Sequence, residues 1–194
     1  MKQPIAAILL GTALLLSAAG ASRADDKAIK IGVLTDNSGL YADLGGAGST
    51  IAAQMAIEDS RMAGKGWTIE LISADHQNKP DVATNIARQW IDVEKVDVFM
   101  DVLNSGVALA VNNVVREKNS ILIDTGAATS DLTNAQCSPN TVHWVYDTYM
   151  LAHSTGQALV KAGEPYYRFI RFRTSAGEEH AIESGRRERG QPGG

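Results

Sequence analysis

Ser105 stands where a short apolar run ends and a helical pattern begins, in Leu103-Asn104-Ser105-Gly106. A serine at such a junction supports two chemistries. It can attack as a nucleophile from a sharp strand-to-helix elbow. It can instead bind an anion, using its hydroxyl together with the unsatisfied N–H groups and partial positive charge of the helix start. The elbow requires Gly-x-Ser-x-Gly, and Leu103 occupies the first glycine position. Asp124 or Asp131 with His143 or His153 would complete a Ser-His-Asp set on paper, but sequence supplies no mutual geometry for them. The anion-binding reading is the simpler one, with the hydroxyl at the N-cap adding a donor. Its plain alternative is a serine that only caps its own helix.

Gly126-Ala127-Ala128-Thr129 carries the same double reading. Small residues at the mouth of a sheet let a ligand approach the backbone, yet they also suit an ordinary loop in which Thr129 or Asp131 starts a turn. The pattern argues against a dinucleotide site. Gly46-Ala47-Gly48 lies between a strand and a helix, and Asp75 follows the second strand, but Ile51 fills the place of the third glycine of Gly-x-Gly-x-x-Gly. His76, His143, His153 and His180 show no metal-ligand spacing, and neither Cys-x-x-Cys nor His-Glu-x-x-His occurs. No metal or cofactor is expected, and no enzyme.

The elements that must position these residues alternate along the chain. Strands are expected at 28–34, 67–73, 96–102 and 120–124, each followed by a helical pattern, at 49–62, 80–94, 106–118 and, after an apolar run at 141–145, at 148–162. Ile51 and Met55 are four apart, as are Val82 and Ile86 and then Ile86 and Trp90. Pro80 suits a first helical turn, where its missing N–H costs nothing. Strand-then-helix units in series predict an α/β fold, a doubly wound parallel sheet. Right-handed crossovers gather loops 35–48, 74–79, 103–106 and 125–133 at one edge, where such sheets bind ligands.

The amino terminus reads as an export signal. Met1-Lys2-Gln3 is a short basic start, Ile5 to Ala21 is uncharged and apolar, and Ser22-Arg23-Ala24 places small residues before a break. Cleavage is expected between Ala24 and Asp25, because the apolar run is short for a membrane span. The formal net charge of −4 gives no reason to expect nucleic acid as a partner. Cys137 is the only cysteine, so it is either a buried, inert thiol or one that has lost its partner or pairs between chains.

After Gly163 the composition changes. Six of the ten arginines lie at 164–194, a stretch with no lysine. Its end, Ser184 to Gly194, has no apolar periodicity and reads as disordered. This segment is either a genuine basic tail or the product of a frame change or early stop.

Several stretches resemble the periplasmic solute-binding proteins of branched-chain amino-acid ABC transporters, the leucine/isoleucine/valine-binding type. They are IKIGVLTDNSGLYADLGGAGS at 29–49, ADHQNKPDVA at 74–83, Leu103-Asn104-Ser105, DTGAATSDLT at 124–133 and NTVHWVYDTY at 140–149. The resemblance spans 28 to 163. It implies a two-lobed, type I binding-protein fold, of which 25–163 is a partial amino-terminal lobe and the chain a truncated form. It further implies an extracytoplasmic component of an importer for branched-chain amino acids or related small carboxylates, including aromatic acids. The partner implied is an inner-membrane ABC permease, with no nucleic acid, no cofactor and no catalysis. Such a truncated chain is expected not to function. The other readings are a single-lobe secreted sensor or interaction module and, third, a secreted α/β hydrolase.

In that family the residues matching Ser105 and Gly126, Ala127 and Ala128 hold the ligand's carboxylate and ammonium from the first lobe. Leucine-type binders have a threonine where this chain has Ala128, with Thr129 one place later. Tyr41, Asp75 and Tyr149 are expected at the rim, Tyr149 alternatively packing its own helix.

Overall fold

The computed structural model describes residues 27–161, 171–173 and 179–181. The export signal expected at 1–24 and most of the Arg-rich segment lie outside the described residues.

Five strands form one parallel sheet: β1 (Ala28–Thr35), β2 (Thr68–Asp75), β3 (Val98–Asp101), β4 (Ile121–Asp124) and β5 (Thr141–His143), in the spatial order β2-β1-β3-β4-β5. Four helices alternate with them: α1 (Gly46–Ser60), α2 (Pro80–Gln89), α3 (Ser105–Lys118) and α4 (Thr148–Lys161). The expected α/β class and strand-then-helix order are what the chain adopts. A short antiparallel pair, β6 (Arg171–Arg173) and β7 (Glu179–Ala181), lies within the Arg-rich segment.

Pleating sends alternate residues to opposite faces. Gly32 and Leu34 of β1 align with Phe99 and Asp101 of β3, and these with Leu122 and Asp124 of β4. The apolar members of this row face α2 and α3 and join Val107, Val111, Val114 and Val115 in one buried cluster. Trp90 stacks on Phe99 at 5.8 Å between ring centroids. Gly32 is obligatory there, since a Cβ would lie 2.5 Å from the Trp90 ring. α1 covers the opposite face, where Thr50 Oγ1 meets Ser73 Oγ of β2 at 2.9 Å. Arg88 and Glu117 tie α2 to α3 through two parallel bonds of 3.1 and 2.9 Å.

Element ends differ from the periodicity by a few residues. α1 begins at Gly46 rather than 49, because Gly46 N donates to the buried Thr35 Oγ1 at 3.0 Å and so starts the helix inside the loop. The second helix does not run evenly to 94: Trp90–Glu94 widens into a π turn. Cys137 is exposed and unbonded, which removes the buried-thiol reading.

Candidate functional site

β1 to β4 end at one edge in four loops, and side-chain to backbone bonds lace these loops together. Asp36 is buried and accepts the amides of Gly39 at 2.7 Å and Tyr41 at 3.0 Å, folding the long loop after β1 back on itself. Asp75 then joins that loop to the one after β2. Its carboxylate accepts Asn37 N at 3.0 Å, Gln77 N at 2.7 Å and Ser38 Oγ at 2.6 Å. Burial pushes the Asp75 carboxyl up, but the bonds from Ser38, Gln77 and Asn37 prevail and hold it below the usual carboxylate range. The rim position expected of Asp75 is thus filled by a carboxylate already engaged in organising two loops.

The next link is Asn104. Its side-chain oxygen accepts Val107 N at 3.0 Å, and its Nδ2 donates to Asn78 Oδ1. Asn104 is therefore the N-cap of α3, which corrects the placing of the Ser105 hydroxyl at the N-cap and removes the alternative in which Ser105 only caps its own helix. Ser105 is the first helical residue, 7% exposed, with its hydroxyl outside the cap. Asn104 takes the cap because its side chain reaches both Val107 N and Asn78 Oδ1.

Before Asn104 the backbone is strained. Asp101 and Val102 have φ of 79° and 64°, in the left-handed region that a β-branched residue rarely enters. This double kink ends β3 after four residues and carries Leu103 over the next loop. A Cβ on Gly126 would lie 2.5 Å from Leu103 Cδ1 and 2.9 Å from its Cα. Gly126 is the position where the two loops touch backbone to backbone.

The small-residue loop is held from below and from the side. Asp124 Oδ1 accepts Gly126 N at 2.9 Å and Ala127 N at 2.8 Å. His143 Nε2 donates to Ala127 O at 2.6 Å, and Thr148 N donates to Ala128 O at 2.8 Å. Thr129 is buried, and its hydroxyl accepts Asp131 N at 3.2 Å to start the 3-10 turn Ser130–Thr133. The loop's first two amides thus point into the protein, and the Thr129 hydroxyl is engaged in a turn.

Burial pushes the Asp124 carboxyl up to about 7, against the two amide bonds and with a further push from the neighbouring Asp101 carboxylate. His76 is buried, and burial depresses it although Asp36, Asp75 and Asp101 pull the other way. Its Nδ1 accepts Asn78 N at 3.0 Å, which leaves the neutral ring's proton on Nε2. Among the described residues, three buried side-chain atoms have no partner: His76 Nε2, Asp101 Oδ2 and Asp124 Oδ2. All three belong to residues at this one edge.

Of the residues expected at the site, Ser105, Gly126, Ala127, Ala128, Thr129, Tyr41 and Asp75 are gathered along this edge. Tyr149 sits farther out. Its backbone nitrogen donates to Ser130 Oγ at 3.2 Å, but its ring is exposed and stacks at 3.8 Å on His153, one turn along α4. The hydrolytic set is not assembled: His143 bonds to Ala127 O, and His153 Nδ1 lies 2.9 Å from Tyr149 O. Among the described residues no cluster of His, Cys, Asp or Glu is arranged to hold a metal ion, and no helix is long and apolar enough to cross a membrane. Asp36 and Asn104 escaped the sequence reading as organisers of the site. Their signal was present, in Asp36 as an Asx residue ahead of Ser-Gly and in Asn104 as a strong N-cap former one place before Ser105.

The parallel sheet with helices on both faces and a laced loop edge defines one lobe of a type I binding fold. The chain belongs to the periplasmic binding protein family, whose profile matches residues 28–178 and so continues past 163 into the Arg-rich segment. Among solved structures, a periplasmic binding protein from Burkholderia mallei is 47% identical over 71% of this chain, with a TM-score of 0.66. A branched chain amino acid ABC transporter periplasmic ligand-binding protein from Burkholderia xenovorans is 42% identical over 70%, with a TM-score of 0.65. An ABC transporter solute-binding protein from R. palustris, in complex with benzoate, is 32% identical over 70%, with a TM-score of 0.61. The chain spans 36%, 36% and 38% of these proteins respectively. No curated protein matches it.

Proposed function

We propose that this chain contributes the first-lobe half of a solute site for small carboxylates in an exported ABC import system. The observation that carries the reading is the start of α3. A buried helix N-terminus presents a partial positive charge, and because Asn104 takes the cap, the Ser105 hydroxyl is left to serve a ligand. Leu103 against Gly126 brings the small-residue loop alongside, which lets a planar ligand approach the backbone. The protein acts by capture, without covalent chemistry. In a two-lobed relative, a ligand touching both lobes stabilises the closed form by its differential affinity, and the closed form docks on an inner-membrane permease.

Benzoate-type acids suit this edge better than branched-chain amino acids. An ammonium group needs several oxygen acceptors, and the Thr129 hydroxyl and the carbonyls of Ala127 and Ala128 each already accept one hydrogen bond, from Asp131 N, His143 and Thr148 N, which leaves each with one lone pair to offer. The R. palustris relative is in complex with benzoate, whereas the B. xenovorans relative is a branched chain amino acid ABC transporter periplasmic ligand-binding protein, so the titration below sets the two ligand classes side by side.

The test is an amide-resolved NMR titration of the purified chain with benzoate, isoleucine and benzamide. A half-enclosed ligand binds weakly, with Kd of about 1 mM or above, corresponding to about −4 kcal/mol. Benzoate should perturb Ser105, Gly106 and Ala128, isoleucine less, and uncharged benzamide not at all. Perturbation by benzamide equal to that by benzoate, or no response at these amides, removes the reading.

A further inference from the structure

We infer that Asp124 and His143 are the positioning residues of the Gly126–Ala128 loop, and that Asp124 couples its hold on this loop to the binding of a proton. The inference rests on the site proposed above but stands on geometry that exists without ligand. One carboxylate oxygen, Oδ1, grips two consecutive loop amides, and the imidazole of His143 grips the carbonyl between them and Ala128. Asp101, Asp124 and His143 occupy matched register positions on β3, β4 and β5, so these three side chains share one face in a single row.

Paired strands lie about 4.8 Å apart, so the Asp101 and Asp124 carboxyl groups are close neighbours, buried at 4% and 0% exposure, each with an orphan Oδ2. Two ionised carboxylates in that setting repel, and each orphan acceptor is costly. A proton on Asp124 removes the repulsion and leaves Oδ1 free to accept. The groups facing Asp124 are few. β3 brings Asp101 and β5 brings His143, while the buried residues of α3 carry no ionisable side chain. Asp131, in the 3-10 turn beyond Thr129, and Asp147, next to the Thr148 whose amide bonds to Ala128 O, are the further acidic residues around this loop. His76 faces Asp101, Asp36 and Asp75.

The consequence for a carboxylate ligand is direct. A neutral Asp124 beneath the loop leaves the positive helix end unopposed, whereas an ionised one places a negative charge under the anion. Carboxylate capture should therefore weaken as Asp124 loses its proton, and capture near neutral pH should take up a proton.

The experiment follows the Gly126 and Ala127 amide resonances of the ligand-free chain from pH 5 to 8.5. Both should titrate with one midpoint near 7, shared by the Asp124 carboxyl carbon. Asp124→Asn, which keeps a neutral acceptor, should leave the loop resonances near their low-pH positions and abolish the titration. His143→Gln should keep the Asp124 titration while shifting Ala127 and Ala128. Loop amides that do not titrate in this window, or that titrate unchanged in Asp124→Asn, overturn the inference even where benzoate binds. Amides that titrate as stated support it even where no carboxylate binds, so the two readings fail separately. Where both hold, benzoate affinity should fall severalfold between pH 6 and pH 8 in the native chain and stay level in Asp124→Asn.

Discussion

Gly126 lies so close to Leu103 that a single added methyl would stand 2.5 Å from Leu103 Cδ1 and 2.9 Å from Leu103 Cα. The second of these atoms is backbone and cannot rotate away. Gly126→Ala should therefore separate the loop after β4 from the loop after β3, at a cost of about 1–3 kcal/mol for overpacking. Gly48→Ala is the control, since nothing lies within 4 Å of its would-be Cβ in α1. It should raise stability by roughly 0.5–1 kcal/mol through helix propensity. Urea unfolding of both variants checks the pair, and equal effects would sink the close-contact argument.

Asn104 and Ser105 should separate stability from binding. Asn104→Ala removes the cap on Val107 N and the link to Asn78. It should cost about 0.5–2 kcal/mol. Ser105→Ala leaves the cap intact, so the unfolding midpoint should barely move while the benzoate-induced shifts at Gly106 diminish. Denaturation and NMR titration of the two variants side by side provide the check.

Asp124 should give the chain an unusual acid-side stability. Burial raises its carboxyl to about 7 in the folded chain against 3.8 ordinarily, so below about pH 7 the folded form keeps a proton there. Between those values the folded state binds more protons than the unfolded one, so stability falls as pH rises from about 4 to about 7 and levels off above. At about 1.4 kcal/mol per unit, Asp124 contributes at most about 4 kcal/mol to this fall. Asp124→Asn should flatten that part of the curve and unfold at higher urea than the native chain at pH 8. A native curve parallel to that of Asp124→Asn across this window would contradict the assignment.

Asp75 should act in the opposite sense. Its carboxyl is held low by Ser38, Gln77 and Asn37 against the effect of burial, so its stabilising effect is present above the unfolded value and is lost as pH falls through the folded one. Asp75→Asn keeps size and one acceptor but loses charge assistance. Faster hydrogen exchange at the Asn37 and Gln77 amides, with α3 unaffected, is the expected result.

How much of this was legible beforehand differs by element. β1 and β2 announced themselves by apolar runs, α2 by the four-residue spacing of Val82, Ile86 and Trp90 with Pro80 at its start, and the loop edge followed from strand-then-helix alternation. Ser105, Gly126–Thr129, Tyr41 and Asp75 were placed at that edge from sequence, and the fold gathers them there. For Tyr149 the sequence leaves rim and own-helix packing open, and its ring stacks along α4. The roles of Asp36, Asn104 and Asp124 as organisers were not legible in full.

The reason is range. Helical and strand periodicities are set by residues a few places apart, so the chain by itself determined its α/β class, the order of its elements and the edge where its loops meet. Which neighbour caps α3, which amides Asp124 holds and which carboxyl is driven to keep a proton depend on partners brought together by strand pairing, Asn78 with Asn104 and Asp101 with Asp124 among them. Burial and the register of β3 on β4 exist only once the sheet has formed, and they decided the chemistry of the site.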